Sequence, residues 1–199
     1  FVGSRGLGDV YKRQEIEKLI EVGSITSDVP IDPEQIQPAS LDLRLGGKAF
    51  RIRASFLPGS REKVEDRLNS LKMHEIDLID GAVLEKGCVY LVPLLEELNL
   101  SPDIQAAANA KSSTGRLDLL TRVITNSGEE FDRVSSGYCG KLYAEICPRS
   151  FSVLVRQGMK LNQIRFRNKN TTLNDEDLTA LHAQEKLVPG NAIIDDGLG

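Results

Sequence analysis

The sequence has little of what metal-centred, disulfide-bonded and membrane proteins depend on. Its 199 residues include no tryptophan, two histidines and three cysteines, and aromatic side chains make up 5% of the chain. Cys88, Cys139 and Cys147 are odd in number and lack the Cys-x-x-Cys spacing of a zinc or redox site. They predict reduced thiols in a cytoplasmic protein. No apolar run approaches the ~20 residues that a membrane span needs, so no membrane partner is expected.

An excess of basic residues is also missing. The chain has 25 Lys and Arg residues against 29 Asp and Glu residues, which gives a net charge of -4 and a pI near 5.3. A binder of nucleic-acid polymers normally shows the opposite balance. Hydrophobic residues at 40% and charged residues at 27% are ordinary for a globular protein with one sizeable core. Any site for an anion must therefore be local.

Short strands separated by turn residues dominate the middle of the chain. Residues 40–45 alternate leucine with polar residues, and 49–54 alternate again after a Gly-Gly pair, so we predict a half-buried hairpin. A short amphipathic helix is predicted over 15–22, and another short helix within 59–72. Two strands are predicted within 82–95, and others over 119–125, 142–147, 151–155 and 161–166. Strands at this spacing favour an all-β sandwich or barrel.

The two ends of the chain differ from its middle in composition and in hydrophobic patterning. Residues 1–14 lack an initiator Met and any periodicity, and they resemble a translated sequencing-linker sequence, so we predict that they are artefactual or disordered. After residue 167 the chain becomes polar, with a possible helix over 175–186 and a Pro-Gly-Asn turn at 189–191. We predict one domain over 15–167 and a helical or linker appendage over 168–199, and we expect the whole to be a fragment.

The segment Lys111-Ser112-Ser113-Thr114-Gly115-Arg116 is suited to an anion. Hydroxyl and backbone N–H groups can point at phosphate oxygens, glycine lets the backbone approach closely, and the two cations supply opposite charge. The alternative is a solvated turn that happens to contain two basic residues.

A second candidate is Glu145, which lies in mid-strand between Ala144 and Ile146. In a strand that starts near Lys141, Glu145 shares one face with Tyr143, and the apolar neighbours share the other. Such a carboxylate is either exposed to solvent, which is the commoner case, or buried with a partner and available for proton transfer.

Four segments together resemble the dCTP deaminase family, which shares its fold with the trimeric dUTPases. They are residues 38–45 (PASLDLRL), 111–116 (KSSTGR), the Gly137-Tyr138-Cys139-Gly140 turn that leads to Glu145, and 158–164 (GMKLNQI). They occur in the order and approximate spacing of that family, over about residues 15–167. The chain is most similar to the first half of the long bacterial form, in which two copies of the fold are joined in tandem.

The resemblance implies a fold, an assembly and a reaction. The fold is a mainly β, dUTPase-like distorted barrel, and the assembly is a homo-trimer, or a pseudo-trimer with a second tandem domain, with active sites between subunits. The reaction is hydrolytic deamination of dCTP to dUTP and ammonia, which supplies dUTP for thymidylate synthesis. The nucleotide brings Mg²⁺ with its triphosphate.

The resemblance also implies roles for individual residues. Glu145 corresponds to the family's general base, and Ser112 and Arg116 to residues that position the attacking water and the base. The implied nucleotide-binding residues are Lys111 and Ser113 at the phosphates, Tyr138 near the deoxyribose, Gln163 in the final barrel motif, and Thr125.

The histidines and cysteines agree with a reaction that does not use zinc. Zinc deaminases need a His-x-Glu and a Pro-Cys-x-x-Cys to form hydroxide. Neither His74 nor His182 is followed two residues later by Glu, and no cysteine pair has that spacing. A glutamate beside fixed donors would have to activate water instead.

Two departures from the family pattern leave alternatives open. Lys111 stands where the family usually has Arg, so a point charge replaces a bidentate fork. This chain could therefore be a non-catalytic nucleotide-binding or structural half of a tandem deaminase. The other alternative, a dUTP diphosphatase, is weaker. Ser135 stands where the family usually has an Asp, three residues before the aromatic of the Gly-aromatic-x-Gly turn, and the nearest Asp is Asp132.

Overall fold

The computed structural model describes residues 10–168 and 175–185. The helices in these residues are α1 (Arg13–Glu21), α2 (Val64–Leu71), α3 (Ser112–Arg116) and α4 (Asp175–Glu185), with a 3₁₀ turn at Pro33–Gln35. The first six strands are β1 (Ile25–Ser27), β2 (Leu41–Arg44), β3 (Lys48–Ile52), β4 (Lys72–Asp77), β5 (Ala82–Leu84) and β6 (Val89–Asn99). The next six are β7 (Ile104–Ala110), β8 (Leu119–Thr125), β9 (Arg133–Val134), β10 (Cys139–Pro148), β11 (Val153–Val155) and β12 (Lys160–Asn168).

The strands form three sheets with antiparallel pairing. The largest has the order β4-β3-β6-β10-β8, with β1 added to β6. A four-stranded sheet has the order β2-β12-β7-β9, and β11 pairs with β5 in a third. The prediction of a mainly β fold with a short N-terminal helix is therefore confirmed, whereas the pairing of the described strands does not show a closed barrel.

The predicted hairpin of 40–45 with 49–54 is wrong. The two strands belong to different sheets, because β2 pairs with β12 while β3 pairs with β4 and β6. Gly46 explains the divergence: its N–H donates to Pro93 O at 2.8 Å, and a Cβ at Gly46 would lie 2.6 Å from that oxygen. The Gly-Gly pair thus lets the chain cross closely over β6 instead of turning back.

The first described residues contact the rest of the fold. Residues 10–14 belong to the segment predicted to be artefactual or disordered; there Tyr11 N donates to Phe166 O at 3.0 Å, and α1 begins at Arg13. Ile16 and Leu19 of α1 are buried, as its amphipathic pattern predicts. The helix predicted over 175–186 is confirmed as α4, whereas residues 1–9 and the turn at 189–191 lie outside the described residues.

Two apolar clusters cover the two faces of the largest sheet. The main core packs between the sheets and includes Leu142, Ala144 and Ile146 from one face of β10. The second cluster lies on the other face, where Val64 and Leu68 of α2 pack on strand residues. Its other buried members are Ile52, Leu91, Ile124 and Tyr143. The face of β10 that bears Tyr143 and Glu145 is therefore covered and not open to solvent.

A buried ion pair joins β2 to the largest sheet, so β2 is buried on both faces and not half-buried as predicted. Glu96 is fully buried, and its Oε1 accepts from Arg44 Nε at 2.7 Å and from Gln35 Nε2 at 2.9 Å. Its Oε2 accepts from Arg44 N at 2.8 Å. The Arg44 guanidinium also donates to the carbonyls of Val29 and Pro30. Every charged atom of the pair thus has a partner, which offsets the cost of desolvation.

We predict that Glu96→Ala destabilises the chain by about 3–5 kcal/mol, because it leaves Arg44 buried without its carboxylate. The free energy of unfolding from urea titration measures this. Glu97→Ala is the matched control, because the Glu97 carboxylate forms no hydrogen bond or ion pair within the described residues. We expect the control to cost less than about 1 kcal/mol. Equal losses in the two variants would contradict a structural role for the pair.

Candidate functional site

Glu145 lies in the middle of β10, flanked by Leu91 of β6 and Arg122 of β8 in the strand register. Residues opposite one another in a sheet share a face, so all three side chains point towards the second cluster. Only 2% of Glu145 is exposed. The structure thus selects the buried alternative for this carboxylate over the commoner exposed one.

The partner of Glu145 is Arg122, which the sequence analysis did not single out. Arg122 Nη2 lies 2.5 Å from Glu145 Oε1, and Arg122 Nε lies 3.2 Å from the same oxygen. The other carboxylate oxygen, Oε2, is buried and has no hydrogen-bond partner in the described residues. Buried polar atoms are almost always hydrogen-bonded, so this oxygen is an acceptor that the described protein groups do not use.

The covering side of Glu145 is built by α2 and the segments beside it. Tyr143, two residues before Glu145, donates a hydrogen bond to Glu65 of α2. Burial and this hydrogen bond both raise the pKa of Tyr143, so the phenol stays neutral. Arg122 also donates to Ser55 Oγ at 3.1 Å. The carboxylate is therefore enclosed in part by α2, which is the short helix predicted within 59–72.

The Lys111–Arg116 segment forms a single helical turn and not an extended loop. Thr114 is its buried anchor, because its hydroxyl donates to Leu161 O at 3.0 Å and Lys111 N donates to the same oxygen at 2.9 Å. The side chains of Ser112, Ser113 and Arg116 are exposed and make no hydrogen bond or ion pair within the described chain. They are free to meet a ligand or another subunit.

The Lys111 ammonium is held by a buried carboxylate. It forms an ion pair with Asp42 Oδ2 of β2, and Asp42 is 2% exposed. The Oδ1 atom of Asp42 is buried and has no partner among the described residues. Gln163 lies opposite Asp42 in the sheet and accepts from Ser40 Oγ at 3.2 Å. Lys111 and Gln163, both predicted to contact the nucleotide, therefore flank the same carboxylate.

A polar cavity of about 240 Å³ lies between the end of β8 and β9. Its lining residues are Thr125, Ser127, Gly128, Glu129, Glu130, Arg133 and Ser135. Thr125, a predicted nucleotide contact, is three residues along β8 from Arg122. The cavity and the buried carboxylate therefore both adjoin β8, but Thr125 and Arg122 lie on opposite faces of that strand.

Tyr138 has a structural role beside this cavity. Its hydroxyl accepts from Asn126 N at 3.0 Å and donates to Lys141 O at 2.6 Å, which closes the turn before β10. Burial raises the pKa of Tyr138 to about 12, so the hydroxyl keeps its proton. Gly140 makes room for the ring, because a Cβ there would lie 3.2 Å from the hydroxyl.

The predicted site residues fall into two groups in one chain. Glu145, Thr125 and Tyr138 lie along β8 and β10, whereas the Lys111–Arg116 segment and Gln163 lie by the four-stranded sheet. No hydrogen bond or ion pair joins Glu145 to Ser112 or Arg116 in the part of the chain that is described. The α3 turn comes just before Leu119, the first residue of β8, which pairs with Pro148 of β10. Glu145 is three positions along β10 from Pro148, a distance of about 10 Å.

The described residues contain no group of three or more His, Cys, Asp or Glu side chains arranged to hold a metal ion. The three cysteines all lie in the described part, and none forms a disulfide. No helix in residues 10–168 or 175–185 is long and apolar enough to cross a membrane.

A buried carboxylate, a hydroxyl-rich cationic segment and a polar cavity are the candidate site features of this mainly β protein. Comparison with known proteins identifies its family. The family model described as the 2'-deoxycytidine 5'-triphosphate deaminase (DCD) N-terminal domain matches residues 8–170. Since this match spans most of the chain, the chain belongs to that family, and the resemblance to the dCTP deaminase family is confirmed.

Individual relatives agree with this assignment. The crystal structure of 2'-deoxycytidine 5'-triphosphate deaminase from Agrobacterium tumefaciens is 50% identical, with a TM-score of 0.80 and 94% of this chain covered. The chain spans 56% of the length of that protein. A "dCTP deaminase, dUMP-forming" of Tropheryma whipplei (strain Twist) is 31% identical over 162 residues, covering 80% of this chain and 76% of that protein. A "dCTP deaminase" of Shewanella amazonensis is 29% identical over 161 residues, covering 76% and 79% respectively.

The partly buried carboxylate of Asp132, in the segment next to the cavity, should make the stability of the chain depend on pH. Asp132 has a left-handed backbone, with φ of 62°, and its Oδ1 accepts from Val123 N at 2.7 Å. Burial raises the pKa of Asp132 above its usual 3.8, while the Val123 N–H and Arg122 act in the opposite direction. Because the pKa is higher in the folded chain than in the unfolded chain, protonation of Asp132 stabilises the fold. This stabilisation is fully present below pH 3.8 and is lost as the pH rises through the folded-state pKa.

We therefore predict that Asp132→Asn gains stability relative to the wild type as the pH rises from about 4 to about 7. Asparagine keeps the acceptor for Val123 N and tolerates the left-handed backbone. Urea titrations across that range measure the difference, with the exposed Asp80→Asn as control. A difference that stays constant or falls with rising pH would contradict the burial of the Asp132 carboxylate.

Proposed function

We propose that this chain catalyses the hydrolytic deamination of dCTP to dUTP and ammonia, with Glu145 as the general base. The main support is the state of the Glu145 carboxylate: one oxygen is fixed by Arg122, and the other is buried without a partner. A general base needs a lone pair that is held in place and is not already used by the protein. The substrate follows from the family to which the chain belongs and from the names of its relatives.

In this reaction the free oxygen of Glu145 takes a proton from water as the water oxygen attacks C4 of cytosine. The proton then passes to the amino group on C4, which leaves as ammonia, while the second proton of the water moves to N3 and the water oxygen remains as the C4 carbonyl of uracil. No zinc-bound hydroxide is required, because the carboxylate supplies the base. General base catalysis of this kind contributes roughly 10²–10⁴-fold to a rate.

Ser112 and Arg116 are the proposed donors that position the water and the base. Because they are exposed and do not contact Glu145 of their own chain, we propose that a neighbouring copy contributes them in a homo-trimer or a pseudo-trimer. Their unpaired side chains support this arrangement. The same assembly would place the site between subunits, in the cytoplasm, where unpaired thiols persist.

The nucleotide-binding roles are proposed for the residues around Asp42 and the cavity. Lys111 and Ser113 would bind phosphate oxygens, Gln163, Thr125 and Tyr138 would contact the nucleoside, and Asp42 would orient the Lys111 ammonium. The substrate would be the magnesium complex of dCTP. Mg²⁺ is commonly held by substrate phosphates and by few protein carboxylates, so this site needs no dedicated protein cage.

A second candidate is deamination followed by loss of pyrophosphate, which forms dUMP. The names of several relatives, including that of Tropheryma whipplei, favour it. Against it, Ser135 lines the cavity at the position where an Asp would orient water, while Asp132 already accepts from Val123 N. Hydrolysis of dUTP alone is the weaker alternative for the same reason.

The relation to a longer protein also stays a proposal. The chain spans 56% of the Agrobacterium tumefaciens deaminase, which supports its assignment as the N-terminal half of a tandem form. The non-catalytic alternative rests on Lys111, since a lysine point charge replaces a bidentate fork. Its pairing with Asp42 keeps the ammonium in one place, which favours a functional phosphate contact.

We predict that Glu145→Gln lowers kcat for ammonia release from Mg·dCTP by about 10²–10⁴-fold, because glutamine keeps the shape but cannot take a proton. The KM for dCTP should change little. Glu97→Gln on β6 is the matched control and should keep the wild-type rate.

The same assay separates the candidate products by chromatography. We expect dUTP and ammonia in equal amounts, whereas dUMP and pyrophosphate would favour the second candidate. Wild-type turnover by Glu145→Gln would overturn the assignment of the base to this chain. Tight dCTP binding without turnover in the wild-type assembly would support the non-catalytic alternative.

A further inference from the structure

We infer that Arg122 is a positioning residue that fixes the Glu145 carboxylate and couples it to the segment lining the nucleotide cavity; this rests on the proposed role of Glu145 as base. The sequence pattern of the family did not point to Arg122. Its contacts are what single it out, because they join three separate parts of the chain around one guanidinium.

The first contact selects an oxygen of Glu145. Arg122 Nη2 and Nε both donate to Oε1, at 2.5 and 3.2 Å, and leave Oε2 without a donor in the described residues. A guanidinium that donated to both carboxylate oxygens would leave neither oxygen without a hydrogen bond. Here Nε and Nη2, the two nitrogens that contact Glu145, both donate to one oxygen, so the other oxygen stays available for water.

The second and third contacts hold the arginine itself. Its guanidinium carbon lies 3.6 Å from the centre of the Phe131 ring, and Nη2 donates to Ser55 Oγ at 3.1 Å. Stacking on an aromatic face fixes the plane of a guanidinium, which a lysine cannot reproduce. Only 29% of the Arg122 side chain is exposed, so its rotamer is restricted by these neighbours.

Phe131 connects this arrangement to the cavity. It follows directly after Glu129 and Glu130, which line the cavity with Ser127 and Gly128. A ligand that moves this segment therefore also moves the ring on which Arg122 stacks. Asp132, the next residue, places a second carboxylate close enough to Arg122 to affect the pKa of that aspartate. The guanidinium thus lies between the base and the segment that would contact the nucleotide.

The test is a double-mutant cycle between Arg122 and Glu145 in the full chain, with ammonia release from Mg·dCTP as readout. Arg122→Gln should lower kcat about 10²-fold, as expected when a reacting group is misplaced, with the KM for dCTP changed less than about threefold. Arg122→Lys should recover part of the loss, since it keeps the charge but not the fork. In a Glu145→Gln background, Arg122→Gln should have no further effect, because Arg122 acts only through that carboxylate.

Arg51→Gln is the matched control. Arg51 forms a 2.8 Å ion pair with Glu85 in the same sheet, away from the cavity, so its loss should leave kcat unchanged. If Arg122→Gln does not fold, as judged by thermal unfolding, the cycle is repeated with Arg122→Lys, which should show the same lack of additivity with a smaller loss.

The inference is overturned if Arg122→Gln or Arg122→Lys keeps the wild-type kcat, or if either lowers the rate equally with and without Glu145. Loss of activity in Glu145→Gln combined with full activity in Arg122→Gln would overturn the role of Arg122 alone. Full activity in Glu145→Gln would overturn the proposed base and with it the role of Arg122.

Discussion

Buried carboxylates need a cation, and this requirement determines how the strands of the chain are connected. Asp42, Glu96 and Glu145 are each at most 2% exposed, and each pairs with a basic residue from another segment. Removing either partner of such a pair leaves an uncompensated charge, which is far more costly than the pair itself. The ion pairs therefore fix β2 against the start of α3 and against β6, and β10 against β8.

The three pairs differ in how completely they are satisfied. Both oxygens of Glu96 accept hydrogen bonds, so this pair is part of the framework. Asp42 and Glu145 each keep one buried oxygen without a partner in the described chain. Asp42 pairs with Lys111, at the start of the segment that the sequence connects with phosphate binding, and Glu145 is itself the predicted base. Among the three pairs, only the two carboxylates of the proposed site keep a buried oxygen without a partner in the described residues, a feature that Glu65 Oε2 on α2 shares.

Much of the fold could be predicted from local sequence patterns. Period-two alternation and turn residues located most of the strands, and the amphipathic pattern located α1, because these signals depend on near neighbours. Strand pairing could not be predicted in the same way. The hairpin predicted after Leu45 was wrong because Gly46 crosses closely over Pro93, a contact between residues far apart in the chain.

The surroundings of Glu145 could not be predicted from the sequence for the same reason. The mid-strand position of Glu145 made it a candidate, but its burial depends on α2 and on Ser55 and Phe131, which lie far from it in the sequence. Arg122 and Asp42 were missed because a basic residue or an aspartate in an alternating strand is usually on a solvated face. Their ion pairs depend on the strand register that places Arg122 opposite Glu145 and on the packing that brings Lys111 to Asp42.

The central claim is that a carboxylate held in a β sheet activates water without zinc. The most direct measurement is ammonia release from Mg·dCTP by the assembled protein before and after treatment with a zinc-selective chelator. The account predicts the same rate in both samples once Mg²⁺ is supplied. A rate that is lost on chelation and restored by zinc, but not by magnesium, would contradict it.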